Sequence, residues 1–215
     1  RQRIVVGTVG AHCTRRHVHV VAHQRGVADP GRDFADGLVA RAWLADAFDT
    51  AEQHFWQPAA GLYADEADTA WQLTGYRGQN ANMHACEAMI SAFRATGERR
   101  YVERAEQLAH GICQRQAALS TRALAPAAEG WVWEHFHADW SVDWDYNRHD
   151  RSNIFRPWGY QIGHQTEWAK LLLQLDALHP ADWHVPCAQR LFDAAVERGW
   201  DAEQGGLYYG MAPDG

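Results

Sequence analysis

Apolar residues recur at every third or fourth position from Asp33 onward. Phe34, Leu38, Ala42, Leu44, Phe48 and Ala51 make one stripe, which predicts a helix closing before Gln57-Pro58. Pro58-Ala-Ala-Gly-Leu-Tyr-Ala-Asp-Glu then reads as a turn. A second helix is expected from about Asn82, with Met83, Cys86, Ile90 and Phe93 on its apolar face and Gly97 as its stop. A third runs from Tyr101 to about Gln116 and buries Val102, Ala105, Leu108, Ala109 and Ile112. Between Trp131 and Trp140 the alternation is looser, as in a short strand or hairpin. Two further helices are expected, from about Gly163 to Leu178 and from about Val185 to Arg198. The second of these presents Leu191, Phe192, Ala195 and Val196 and stops at Gly199. Gly205-Gly-Leu-Tyr-Tyr-Gly reads as an extended segment, and residues 1–32 hold neither helical nor strand period. Helical hairpins joined by longer aromatic loops suggest a toroid or solenoid of paired helices.

Composition narrows the class. Of 215 residues, 47% are hydrophobic and 22% charged, enough apolar content for a sizeable core and too much for a disordered chain. A formal charge of −7 without clustered Lys and Arg argues against nucleic acid or an anionic membrane as partner. No apolar run approaches the roughly 18 residues of a transmembrane helix, and no signal-peptide pattern opens the chain. Cys13, Cys86, Cys113 and Cys187 lie far apart with no C-x-x-C pair, so reduced thiols and a cytoplasmic location are expected. His12, Cys13, His17, His19 and His23 crowd the N-terminal segment, but their spacing fits no tetrahedral metal site. Eleven tryptophans exceed what core filling alone explains, and indoles suit the stacking of sugar faces.

Two helix starts carry a matching polar column. Asn80, His84 and Glu87 fall at i, i+4 and i+7, on a side largely opposite the Met83 stripe. His164 and Glu167 fall at i and i+3, behind Arg156, Pro157 and Trp158 and next to Trp168. A carboxylate three residues from a histidine can accept its ring N–H and raise its basicity, leaving a base that works near neutral pH. Arginine adds a fixed positive charge for a developing oxyanion, and tryptophan a stacking plane. The bland alternative for His84 and Glu87 is a surface pair. Glu134, His135, His137, Asp139, Asp143 and Asp145 hold enough hard ligands for a cation, although acidic loops are more often only solvated. Two of those carboxylates would also suit glycoside hydrolysis.

The segments Arg77-Gly-Gln-Asn-Ala-Asn-Met-His-Ala-Cys-Glu-Ala, Trp133-Glu-His-Phe-His-Ala-Asp-Trp and Phe155-Arg-Pro-Trp-Gly-Tyr-Gln-Ile-Gly-His-Gln-Thr-Glu-Trp-Ala-Lys-Leu-Leu-Leu resemble the N-acylglucosamine 2-epimerase family. Gly205-Gly-Leu-Tyr-Tyr-Gly-Met-Ala-Pro-Asp-Gly extends the resemblance to the last residue. It implies an all-α (α/α)6 barrel with short β-hairpin loops and metal-free, cofactor-free chemistry at C2 of an opened sugar. By matched position, His164 is the expected acid/base, Glu167 its partner near the substrate hydroxyls, and Arg156 a counter-charge. Asn80, His84, Trp158 and Trp168 are expected to bind the sugar, and Glu87 to orient. Members of the family are about twice this length, with an early arginine-bearing helix and a late second histidine that are not located here. The expectation is therefore an atypical segment 1–33, then residues 34–215 as the middle part of a barrel, poorly active alone.

Within the family the motif wording resembles the mannose isomerase branch, which implies aldose–ketose isomerisation through a cis-enediol. N-acylglucosamine or cellobiose C2 epimerisation is the alternative. Outside the family, an (α/α)6 glycoside hydrolase and a non-catalytic sugar-binding domain stay open. A small-molecule sugar is the expected partner, a homodimer is left open, and no Gly-rich phosphate loop marks a nucleotide site.

Overall fold

A computed structural model describes residues 3–5, 30–123, 130–150 and 153–213. The His/Cys-rich part of the N-terminal segment lies outside these residues, as does Cys13. Strand β1 (Arg3–Val5) pairs antiparallel with β4 (Glu66–Asp68). Helix α1 (Pro30–His54) leads into a hairpin of β2 (Trp56–Gln57) and β3 (Leu62–Tyr63). Next, β5 (Arg77–Gly78) feeds α2 (Gln79–Thr96), which starts three residues before the expected Asn82. Gly97 ends α2 in the left-handed conformation, φ 74°, and its N–H returns to the Phe93 carbonyl, as the glycine stop requires.

The third helix differs from expectation. Helix α3 (Arg99–His110) continues through a π-helical stretch, Gly111–Gln116, into α4 (Ala117–Ala123). Apolar spacing does not reveal the change of winding, because Val102, Ala105, Leu108, Ala109 and Ile112 are buried as a single face either way. A side chain on Gly111 would meet Leu62 Cδ2 at 2.8 Å, so this residue must be small for β3 to lie against the helix.

After β6 (His135–Phe136), strand β7 (Tyr160–Gln161) introduces α5 (Ile162–Asp176), and α6 (His184–Gly199) is followed by β8 (Gly210–Met211). Helices α2 and α5 are therefore each preceded by a two-residue strand that pairs with a strand further along the chain, β5 with β6 and β7 with β8. Gly159, φ 101°, allows the second pairing; a Cβ there would come within 2.5 Å of the Met211 carbonyl oxygen.

Buried amides pin the two units in the same way. The Asn82 side chain accepts the Tyr63 N–H (2.8 Å) and donates to the Tyr63 carbonyl (3.0 Å). The Gln165 side chain accepts the Val132 N–H (2.9 Å) and donates to the Val132 carbonyl (2.9 Å). Trp131, Trp133, Trp168, Tyr101 and Tyr160 fill the core between these units. Each is worth roughly 1.5–3 kcal/mol or more when buried, on the scale of a buried Leu or Phe.

Two expected apolar faces are only partly covered. Leu38 is 55% exposed, and among the described side chains of α1 cover comes toward its C-terminal end, where Phe48 meets Tyr101 edge-on at 5.1 Å. On α6, Leu191 and Ala195 are buried whereas Phe192 and Val196 are exposed. Among the described residues, no helix is long and apolar enough to cross a membrane.

Candidate active site

The β5–β6 pairing places Gln79, the first residue of α2, beside Glu134, with the Gln79 N–H donating to the Glu134 carbonyl (3.1 Å). His164 enters from the first turn of α5. Its Nδ1 lies 2.9 Å from Glu134 Oε2 and 2.9 Å from Gln79 Nε2, and Gln79 Nε2 donates to the same carboxylate oxygen at 2.8 Å. Trp168, one turn further along α5, donates its indole N–H to Gln79 Oε1 at 2.6 Å. Gln79 and Trp168 are fully buried and Glu134 nearly so, while the His164 side chain keeps 28% exposure. Burial acts to lower the His164 pKa, but the charge and hydrogen bond of Glu134, helped by Glu167, outweigh it and the net shift is upward.

The carboxylate on the His164 ring nitrogen is thus Glu134, 30 residues away in sequence, and not Glu167 as the i, i+3 spacing suggested. Glu167 instead faces α2. Its carboxylate, that of Glu87 and a ring nitrogen of His84 lie within 4.8 Å of one another. Lys170 Nζ joins this group at 3.0 Å from Glu87 and 3.4 Å from Glu167. A cation therefore already serves both carboxylates, which makes the group a poor divalent-ion site. Burial tends to raise the Glu87 pKa, yet Lys170 and His84 bring it below the usual carboxylate value. Asn80, one turn before His84, has a buried Oδ1 that finds no hydrogen-bond donor among the described residues.

Arg156 is held in a second cluster. Its guanidinium bonds to Glu66, reaches the Tyr146 hydroxyl at 3.3 Å and lies 3.9 Å from the Tyr76 ring centroid. Tyr76 in turn lies 3.0 Å from His135 Nδ1, and His135 Nε2 lies 2.9 Å from the Pro157 carbonyl oxygen. A carbonyl only accepts, so Nε2 carries the hydrogen and the Tyr76 hydroxyl donates to Nδ1. Burial pulls the His135 pKa down, in keeping with a neutral ring. These bonds fix the Arg156-Pro157 turn over the β5–β6 pair. Asp65, also buried, accepts the Gly78 N–H at 2.7 Å, and burial raises its pKa to about 7.

The tryptophans are placed differently from the sequence expectation. Trp168 has no exposed surface and stands behind Gln79, where no sugar can stack on it. Trp158 is partly buried against the core, with its N–H given to the Trp144 carbonyl at 2.6 Å. The acidic stretch after Glu134 does not converge. Asp139 is exposed and caps Ser141, Asp143 lies 3.4 Å from His137, and Asp145 pairs with Arg148. Gln79, Glu66, Tyr76 and Lys170 were not singled out as functional from sequence. The available signal was that Gln79 and Lys170, like Glu134, lie inside the family-like segments.

Comparison with known proteins places this arrangement. The profile of the N-acylglucosamine 2-epimerase (GlcNAc 2-epimerase) family matches residues 33–215. The chain belongs to this family. It is 52% identical over 177 residues to a D-mannose isomerase of Marinomonas mediterranea, covering 82% of this chain and 43% of that protein. A D-mannose isomerase of Thermobifida fusca is 41% identical over 174 residues, with 79% and 41% covered. A D-mannose isomerase crystal structure superposes with a TM-score of 0.76 at 51% identity, over 81% of this chain and 43% of that one. The cellobiose 2-epimerase of Spirochaeta thermophila matches at TM-score 0.65 and 21% identity, over 85% and 44%, a likeness of fold alone. The architecture is that of the (α/α)6 barrels, and the chain spans less than half the length of the relatives it matches.

Proposed function

We propose that the protein is a sugar isomerase acting at C1 and C2 of an opened hexose, of the mannose-to-fructose type, without metal or other cofactor. The observation that carries this reading is His164, a partly exposed histidine backed by the buried carboxylate Glu134 and under the charge of Glu167, in a chain half identical to a D-mannose isomerase. His164 takes the C2 proton while the C1 carbonyl electrons move to O1, which gives a cis-enediolate and, once O1 is protonated, the cis-enediol. Return of a proton to C1, with loss of the O2 hydrogen, completes the ketose. Glu167 accepts and returns the hydroxyl proton, and Asn80 and His84 bind sugar hydroxyls. Arg156, already paired with Glu66, walls the site as a fixed cation and offers the intermediate less charge than a free guanidinium would.

In the same reading, residues 34–215 supply the middle part of the barrel; the expected boundary at 33/34 is crossed by α1, which begins at Pro30, and by the pairing of Arg3–Val5 with β4. The buried thiols Cys86, Cys113 and Cys187 suit a reducing, cytoplasmic setting. The test is incubation with mannose in deuterated water, followed by NMR. Exchange at C2 needs only one base and is read first; a ketose deuterated at C1 supports isomerisation. A C2-inverted, deuterated aldose supports the epimerase reading that the family description favours. His164→Ala is expected to slow exchange by about 10²–10⁴-fold, the usual contribution of a general acid–base. Exchange that survives His164→Ala at the wild-type rate refutes the assignment.

A further inference from the structure

We infer that Glu134 and Gln79, locked by Trp168, are positioning residues that hold the His164 proton on Nδ1 and so make Nε2 the proton-transfer atom. This deepens the proposed function and rests on it only for the identity of the reaction. The indole N–H of Trp168 can only donate. Its 2.6 Å bond to Gln79 Oε1 fixes the orientation of that amide and turns Nε2 toward Glu134 and His164. Gln79 Nε2, Glu134 Oε2 and His164 Nδ1 form a triangle with sides of 2.8, 2.9 and 2.9 Å. Only the carboxylate oxygen in it has lone pairs enough to accept twice. If His164 Nδ1 were unprotonated, its single in-plane lone pair would face the Glu134 carboxylate, a repulsive contact in a nearly dry setting. With hydrogen on Nδ1, both nitrogens donate to the one carboxylate oxygen, and the 2.9 Å between them is the approach of two donors that share an acceptor. The lone pair of the neutral ring is then on Nε2.

The geometry also explains the direction of the electrostatics. Glu134 is 4% exposed, and its second oxygen, Oε1, is buried with no donor among the described residues. Its charge therefore depends on Gln79 and His164 together, and an imidazolium at His164 relieves it. Gln79 gives the Glu134 carboxylate a second donor beside His164, on the oxygen that faces the ring.

Nitrogen-15 NMR of His164 in the whole chain tests this without turnover. The neutral wild-type ring is expected to show its proton on Nδ1; a proton on Nε2 overturns the inference with no variant needed. Glu134→Gln should lower the His164 pKa and mix the two tautomers, and Glu134→Asp, which keeps the charge, should restore part of the shift. An unchanged His164 titration in a folded Glu134→Gln chain overturns the inference equally. Trp168→Phe, which keeps Glu134 and frees the Gln79 amide, should broaden or mix the tautomer signals. In the C2 exchange assay Glu134→Gln should lower kcat by about 10²–10⁴-fold, the range of a general acid–base contribution, with little change in KM. A chain with the Nδ1–H tautomer that exchanges no C2 proton of mannose defeats the isomerase reading alone. An Nε2–H tautomer in an active chain defeats only the positioning role.

Discussion

Arg156 rests on the Tyr76 ring while its guanidinium is shared between Glu66 and Tyr146. Burial alone would lower its pKa, but Tyr146, Tyr76 and Glu66 turn the shift upward, so the charge is permanent. Glu66 keeps 7% side-chain exposure, so removing the arginine takes a cationic partner from a buried carboxylate. Arg156→Met should cost about 3–5 kcal/mol of unfolding free energy, the usual penalty for breaking a buried pair from one side. Adding Glu66→Gln should recover part of that loss, since the buried negative charge that Arg156 balanced is then gone. Urea unfolding of the two single variants and the double variant measures the coupling. Additive losses would mean that Arg156 acts through packing on Tyr76 and not through the pair. At this scale the sequence made Arg156 visible as a charge next to a Pro-Trp-Gly turn. It could not show the partner, because Glu66 lies 90 residues away and nothing local distinguishes it from other loop acids.

Among the elements, the starts of α2 and α5 share one construction, a short strand, an apolar helix and a buried amide that ties the helix to an earlier loop. The Asn82 and Gln165 side chains act as strand partners, each giving a donor and an acceptor to one backbone residue. Neither helix start has a side-chain cap or an acidic residue in its first turn. Their position is therefore set by these tertiary bonds and the strand pairings, more than by local helix signals. Gln165→Leu fills similar volume but leaves the buried Val132 N–H and carbonyl without partners. A loss of about 2–4 kcal/mol is expected, from an unsatisfied-group cost of roughly 1–3 kcal/mol each. Chemical denaturation reads the loss, and hydrogen exchange at the Val132 amide should accelerate together with it. If stability falls while Val132 stays protected, the amide clamp is not the cause. The helix stops at Gly97 and near Gly199 were legible because glycine chemistry is local. The start of α2 at Gln79 was not, because it depends on β6, more than 50 residues later in the chain.

For the molecule as a whole, hydrophobic period identified which residues share a face but not what covers that face. Phe192 follows the helical pattern as faithfully as Leu191, yet it lines an open groove of about 650 Å³ between α5 and α6. The pH response is another property of the whole fold that spacing cannot supply. Asp65 is surrounded by Arg77, Arg156, Glu66, Tyr76 and the Gly78 N–H. Burial raises its pKa to about 7, against partial opposition from Gly78, Arg156 and Arg77. In the unfolded chain the same group titrates near 3.8. Between these values the folded state binds more protons than the unfolded one, so the Asp65 contribution is full below about pH 4 and is lost as pH rises through about 7. His164, raised in the same direction, adds to the loss toward alkaline pH, so the two must be separated. Asp65→Asn retains an acceptor for Gly78 without a charge. Its stability relative to the parent chain should be similar below about pH 4 and increasingly favourable up to about pH 7, then level. Urea unfolding of both chains across that interval decides the matter. Curves that run parallel from acid to neutral pH would show that the Asp65 carboxylate is stabilised well enough to ionise at its ordinary value. The buried corner between β4 and β5 would then have to be more open to water than its packing shows.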